Sequence, residues 1–274
     1  MTYTQEQTSN FAEQNFAYII VEEKENVLSI TLNRPEKRNA FHLPLANELA
    51  YALAYAHYNN NIWCVVLKAN GPTFCAGADL KAFAGDDTVE KPSTIPMPKD
   101  MIKLGDEFNG LHKPCIAQVH ADVYAGGFLM IGGCTHVVAT ENAKFGLPEV
   151  KRGIFPFQVM ATLEPLMSAR QLLDLCIRAK ILSAKEAKEI GIVSEFVSAE
   201  NLETRVQELI SEIKEQSPTA IRLGLKAFHE MKSLKADEKH KYLHAMLMQC
   251  LQSKDAAEGL AAFKEKRKAN WIGE

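Results

Sequence analysis

Between residues 62 and 139 short, continuous apolar runs alternate with segments of helical period, and this alternation constrains the fold more than any other feature of the chain. The runs are residues 62–67 (IWCVVL), 115–119 (CIAQV) and 136–139 (HVVA). A segment from about Leu43 to Tyr58, with Leu45, Leu49 and Leu53 at four-residue spacing, precedes the first; another around residues 100–111 precedes the second, and a third follows Gly126. A strand that is apolar throughout must be covered on both faces, so the pattern predicts parallel strands with helices packed around them. Upstream, residues 18–22 and 27–32 read as a hairpin, with Leu28, Ile30 and Leu32 alternating against Ser29 and Thr31.

From about Pro156 onward the strand signal nearly vanishes. Helical patterns cover about 156–166, 168–178, 183–190, 199–214, 218–233, 238–251 and 254–267, and Tyr242, Leu243, Met246, Leu247, Cys250 and Leu251 draw an apolar stripe. Such a stripe fits a core, or a second subunit where a terminal helical appendage has little core of its own. Composition sets off a polar leader over 1–16, and the order of the motifs along the chain divides the rest into a core over 17–197 and a helical oligomerisation region over 198–274. The acidic, proline-containing stretch Gly85 to Lys99 is the candidate mobile loop.

Composition excludes several classes. In 274 residues, 31 Lys and Arg against 34 Asp and Glu leave a formal charge of -3, so no overall field attracts nucleic acid or an anionic membrane. Any anion must be captured locally. No apolar run is long enough for a membrane span. The six cysteines are scattered without a CxxC and read as reduced thiols of a cytoplasmic compartment.

Two glycine-bearing turns stand out. One is Phe74-Cys75-Ala76-Gly77-Ala78-Asp79-Leu80-Lys81, soon after the first buried run; the other is Ala125-Gly126-Gly127, leading into an apolar segment. Neither is a nucleotide fingerprint. Small residues let a ligand approach the backbone, and two converging N–H groups would form an oxyanion hole; close packing is the plainer reading of either turn alone.

Their order and spacing with Ile30-Thr31-Leu32-Asn33-Arg34-Pro35-Glu36-Lys37-Arg38-Asn39-Ala40, Lys113-Pro114, Phe145-Gly146-Leu147-Pro148-Glu149 and the closing Ala261-Ala262-Phe263-Lys264-Glu265-Lys266-Arg267-Lys268 changes that balance. From about residue 18 to 272 the chain resembles the crotonase, or enoyl-CoA hydratase/isomerase, family. The resemblance implies an α/β fold, a right-handed spiral of ββα turns with a C-terminal helical trimerisation region, assembled as a homotrimer or a dimer of trimers. It implies an acyl-CoA substrate, with coenzyme A part of that substrate rather than a separate cofactor, and no metal. By position, Ala78 and Gly126 match the two backbone donors that hold the thioester oxygen.

Hydratases of the family use two glutamates. The one in the Pro-Glu motif is present as Glu149, and the other position is Leu129, which can neither polarise water nor exchange a proton. Three readings stay open: one carboxylate shuttling a proton between carbons, as in the family's enoyl-CoA isomerases; Glu149 activating water held by another group; or a different enolate chemistry such as decarboxylation or thioester hydrolysis. Isomerisation is the favoured one, and a catalytically silent CoA-binding protein is the rival from another class. His120, Asp122 and Gln158 are candidates to replace the missing carboxylate.

For the CoA phosphates and adenine, the resemblance points to Lys37, Arg38 and Lys81, with Ala76, Asp79 and Leu80 contributing backbone, and to Phe263 and Lys266 from the C-terminal helices, often those of a neighbouring subunit. His240 and His244 lie four apart on one helical face but lack a carboxylate partner for a metal. Cys75 precedes the first turn without an indicated histidine, which argues against a nucleophile.

Overall fold

The computed structural model describes residues 1–83 and 92–274. The chain opens with a hairpin of β1 (Ile19–Lys24) and β2 (Val27–Leu32), paired from Ile19↔Leu32 to Lys24↔Val27. Its two loop residues, Glu25 and Asn26, both have positive φ (49° and 69°), the twist that a two-residue connection requires. Helix α1 (Leu43–Tyr58) leads to β3 (Cys64–Ala69), and α2 (Leu80–Phe83) and α3 (Leu104–Gly110) lead to β4 (Cys115–Val119). Then come β5 (Val123–Tyr124), α4 (Phe128–Ile131), β6 (His136–Thr140) and β7 (Lys144–Gly146).

The second half contains α5 (Phe157–Leu163), α6 (Ala169–Arg178), β8 (Ile181–Ser183), α7 (Ala184–Glu189), β9 (Glu195–Val197), α8 (Leu202–Lys214), α9 (Pro218–Glu230), α10 (Ala236–Leu251) and α11 (Lys254–Glu265). Two of its elements, β8 and β9, are strands of three residues, too short to carry a periodic signal.

A six-stranded sheet in the order β1-β2-β3-β4-β6-β9 is parallel apart from the opening hairpin. Its burial pattern explains the apolar runs. Val65 and Leu67 point into the main core with Leu28, Ile30 and α1, whereas Cys64, Val66, Ile116 and Val138 point to the other face, where Leu202, Val206, Leu209 and Ile210 of α8 cover them. Helix α8 therefore belongs to the packing of the sheet, although it lies beyond residue 197 in sequence.

A second, smaller ladder runs beside the first. Strands β5, β7 and β8 pair, and single bridges Phe41↔Ala78 and Cys75↔Val123 continue it toward the N-terminus. Each turn of the chain thus places one strand in the large sheet and one short extended piece in the second ladder, and a helix closes the turn.

Residues 1–16 are docked rather than free of the core. Tyr3 and Phe11 are buried, Phe11 stacks on Tyr55 with ring centroids 3.8 Å apart, and the Tyr51 hydroxyl donates to the Gln7 carbonyl at 2.9 Å. Their main apolar contacts are three aromatics, Tyr3, Phe11 and Phe16, scattered through a polar stretch, which a hydropathy reading cannot separate from solvent-facing residues. Of the Gly85 to Lys99 loop, residues 84–91 lie outside the described residues, and the remainder is held by the leader: Tyr3 Oη donates to the Pro96 carbonyl at 2.6 Å, and Asn15 N–H to Thr94 Oγ1 at 2.7 Å.

Two buried charged groups tie elements together. Glu48 on α1 accepts from the backbone N–H groups of Ala17, Tyr18 and Ile19 at 2.7–3.1 Å, fixing the entry to β1. Lys113 Nζ donates to the carbonyls of Ala56 and Asn59 at the end of α1, satisfying groups the helix cannot. Among the described residues no helix is long and apolar enough to cross a membrane, and all six cysteines are free.

Candidate active site

The second ladder brings the two glycine-bearing turns together. Phe41 N–H donates to the Gly77 carbonyl at 2.9 Å and Asp79 N–H to the Phe41 carbonyl at 2.8 Å, so in this parallel bridge the intervening Ala78 directs its own N–H away from Phe41. Gly77 has φ +97°, and a Cβ on it would lie 2.6 Å from Ala125 Cβ and 3.0 Å from Gly126 N. Only glycine permits both this backbone and this approach. Gly126 lies in the first turn of the helical segment that continues into α4, where amides have no intrahelical acceptor. Two backbone donors, Ala78 and Gly126, therefore converge, an arrangement able to hold a carbonyl oxygen.

These donors line a cleft of about 1160 Å³. Lys37, Arg38, Ala40, Phe41, Ala76 and residues 78–81 line it from the first part of the chain, and Leu129, Glu149, Arg152 and residues 154–159 from the second. Leu129 is buried and presents only hydrocarbon. Glu149 starts a 3-10 turn, Glu149–Arg152, and its Oε2 is buried without a hydrogen-bond partner. Burial pushes its carboxyl above the ordinary carboxylate range, against smaller downward pulls from its own backbone N–H and from Arg152.

Asp79 is the other carboxylate among the described lining residues, and it is committed elsewhere. Its Oδ2 accepts from Arg34 Nη1 at 2.8 Å and its Oδ1 from Lys81 N–H at 3.1 Å. Burial alone would raise its carboxyl, but the Arg34 hydrogen bond and the Lys81 amide outweigh it and hold it below the usual range. Arg34 also donates to the Ala40 carbonyl, and Asn39 Nδ2 to the carbonyls of Asn70 and Thr73. The Asn33-to-Ala40 motif thus serves largely to shape the cleft wall.

Of the residues that the sequence singles out, Lys37, Arg38, Ala76, Ala78, Asp79, Leu80, Lys81, Gly126, Leu129, Glu149 and Gln158 all line this one cleft. His120 and Asp122 do not: His120 Nε2 lies 2.7 Å from the Gly71 carbonyl, and Asp122 accepts from Tyr124 Oη and Lys144 N–H, both at 2.9 Å. Cys75 is fully buried, with its thiol pushed up to about 12 by that burial, the condition of a packing residue rather than a nucleophile. Phe263, 86% exposed, and Lys266 lie outside the cleft of their own chain. His240 and His244 are exposed on α10.

Sequence reasoning missed Phe41, Phe157 and Arg152. Phe41 follows directly on the Asn33-to-Ala40 motif, and Arg152 lies three residues after Glu149, one turn of a 3-10 helix, a spacing that could have drawn notice.

The enoyl-CoA hydratase/isomerase family model matches residues 22–274, nearly the whole chain. The chain belongs to the enoyl-CoA hydratase/isomerase, or crotonase, family. Members similar to it include the mevalonyl-coenzyme A hydratase SidH of Aspergillus fumigatus, 30% identical over 90% of this chain and 91% of that protein. Enoyl-CoA hydratase EchA19 of Mycobacterium tuberculosis is 31% identical over 92% of this chain and 95% of its own length. Among solved structures, an enoyl-CoA hydratase from Mycobacterium tuberculosis H37Rv superposes with a TM-score of 0.82 at 27% identity, covering 94% of this chain and 99% of that one. This family member is thus an α/β enzyme of the crotonase fold with C-terminal helices, and acyl-CoA thioesters are the substrate class consistent with its family.

Proposed function

We propose that this enzyme moves a double bond within an enoyl-CoA thioester, with Glu149 as its single acid–base group. The observation that carries this reading is Glu149 itself, its buried Oε2 unpartnered in a cleft where Leu129 stands in place of a second carboxylate. A buried acceptor left unpaired costs stability, and a substrate proton is a partner that repays it.

The ionised Glu149 accepts a proton from C2 of a 3-enoyl thioester. The electron pair spreads over C2 to C4 and onto the thioester oxygen, where the Ala78 and Gly126 amides hold the developing charge. The carboxyl then returns the proton to C4, giving the 2-enoyl thioester with no water consumed. A pKa raised by burial strengthens Glu149 as a base near neutral pH. Lys37, Arg38 and Lys81 meet the CoA phosphates, with the backbone of Ala76, Asp79 and Leu80 beside them.

Hydration is the second reading, favoured by Gln158, whose place in the cleft suits an amide holding water for Glu149. Wild-type turnover of a 3-enoyl-CoA and of crotonyl-CoA separates the two, with CoA binding measured in parallel. Faster crotonyl-CoA hydration would favour Gln158-assisted water chemistry, and CoA binding without turnover of either would make the protein a silent binder.

The C-terminal helices assemble copies of the chain as a trimer or a dimer of trimers. An apolar groove of about 390 Å³ between α9 and α10 supports this, lined by Leu223, Phe228, Leu243 and Leu247 with Phe228 and Leu247 each about half exposed. Such an assembly supplies Phe263 and Lys266 to a neighbour's cleft. Light scattering on the wild type and Leu247→Glu tests it: a trimer-based mass that the variant lowers supports it, and a wild-type monomer contradicts it. Six free thiols suit a reducing, cytoplasmic compartment.

A further inference from the structure

The reaction above leaves Arg152 without a task. Arg152 is an exposed residue that lines the cleft together with Glu149, Ile154, Phe155 and Phe157. Among the described residues it makes no ion pair and no side-chain hydrogen bond, in contrast to Arg34, held by Asp79, and Arg205, held by three glutamates. The other cations of the cleft, Lys37, Arg38 and Lys81, come from the two segments around Ala40 and Ala78, to which the proposed function gives the CoA phosphates. An uncommitted, solvent-exposed guanidinium beside Ile154 and Phe157, themselves 48% and 68% exposed, can receive a planar anion, because its fork of donors matches a carboxylate.

We propose that Arg152 pairs with a carboxylate at the far end of the acyl chain, making short dicarboxylic enoyl-CoA thioesters the preferred substrates over unsubstituted fatty enoyl-CoA. This rests on the acyl-CoA reading of the cleft. Three residues of 3-10 helix separate Glu149 from Arg152, a rise of about 6 Å, which suits an acyl chain of about five carbons. The guanidinium also acts on Glu149, whose carboxyl it pulls down against the larger upward push of burial. A substrate carboxylate that engages Arg152 weakens that pull and makes Glu149 a stronger base, so the correct acyl end aids the proton transfer itself.

Calorimetric titration with glutaryl-CoA and pentanoyl-CoA, saturated five-carbon thioesters that differ in the terminal carboxylate, tests the proposal apart from any turnover. At low salt the wild type is expected to bind glutaryl-CoA about tenfold more tightly, the scale of one charge-assisted hydrogen bond. Arg152→Gln brings the ratio to about one, Arg152→Lys keeps part of it, and Arg152→Glu reverses it. Equal wild-type affinities, or a ratio that survives Arg152→Gln, overturn the role of Arg152 while leaving the acyl-CoA reading intact. Binding of neither thioester nor of CoA itself overturns both.

Discussion

The amide nitrogen of Ala78 lies 3.4 Å from the point that a Cβ on Gly126 would occupy, and the same point is 2.6 Å from the Phe41 ring. The two donors are held together by the absence of a single carbon atom. Gly126→Ala must push Phe41 aside or open the gap between the amides. Loss of one such donor typically reduces turnover by about 100-fold or more. Steady-state kinetics are expected to show a fall in kcat of about that size with the circular dichroism spectrum unchanged, and Phe41→Ala in the same chain is expected to restore part of it.

Much of this arrangement is legible in the sequence, for physical reasons that particular residues make plain. The apolar run at residues 64–67 announces a strand covered on both faces, and α1 and α8 cover it. Gly77 and Gly126 mark the close approach because no other residue fits there. The second ladder was not legible: the bridges Phe41↔Ala78 and Cys75↔Val123 are single pairs with no periodicity to read. The Asp79 side chain is tied to Arg34, a partner 45 residues away that no local pattern announces. Arg152 resembles the exposed charge of any Lys-Arg pair, and exposed it is; only the fold shows that it lines the same cleft as Glu149.

Glu149 sets a pH dependence of stability. Its folded pKa is raised, so its contribution is fully present below the ordinary value of 4.5 and is lost as pH rises through the higher folded value. At neutral pH the wild type carries a half-buried, unpartnered charge that Glu149→Gln removes. The variant is expected to melt roughly 2–4 °C higher at pH 7.5, and the advantage should shrink toward pH 4. Thermal melts across this range check it.

The C-terminal helices dock through histidines. His112 stands 5.4 Å from the ring of His57 and 6.0 Å from that of His229 on α9, and burial, aided by these neighbours, lowers its pKa to about 4. Lys226 adds to the downward shift and Glu230 opposes it, while burial first and Lys113 less so lower His57. A depressed folded value means that stability is complete above about 6.5 and falls as pH drops toward 4. His112→Gln is expected to flatten this acid decline of the melting temperature by something on the order of 2 °C at pH 5.

The central claim, that one carboxylate carries the proton, is tested most directly by the initial rate of 3-enoyl-CoA isomerisation in the wild type and in Glu149→Gln. Removing a positioned acid–base group costs about 10²–10⁴ in rate. The account predicts a loss of that size in the variant with thioester affinity nearly unchanged. Isomerisation that proceeds at the wild-type rate in Glu149→Gln would contradict it.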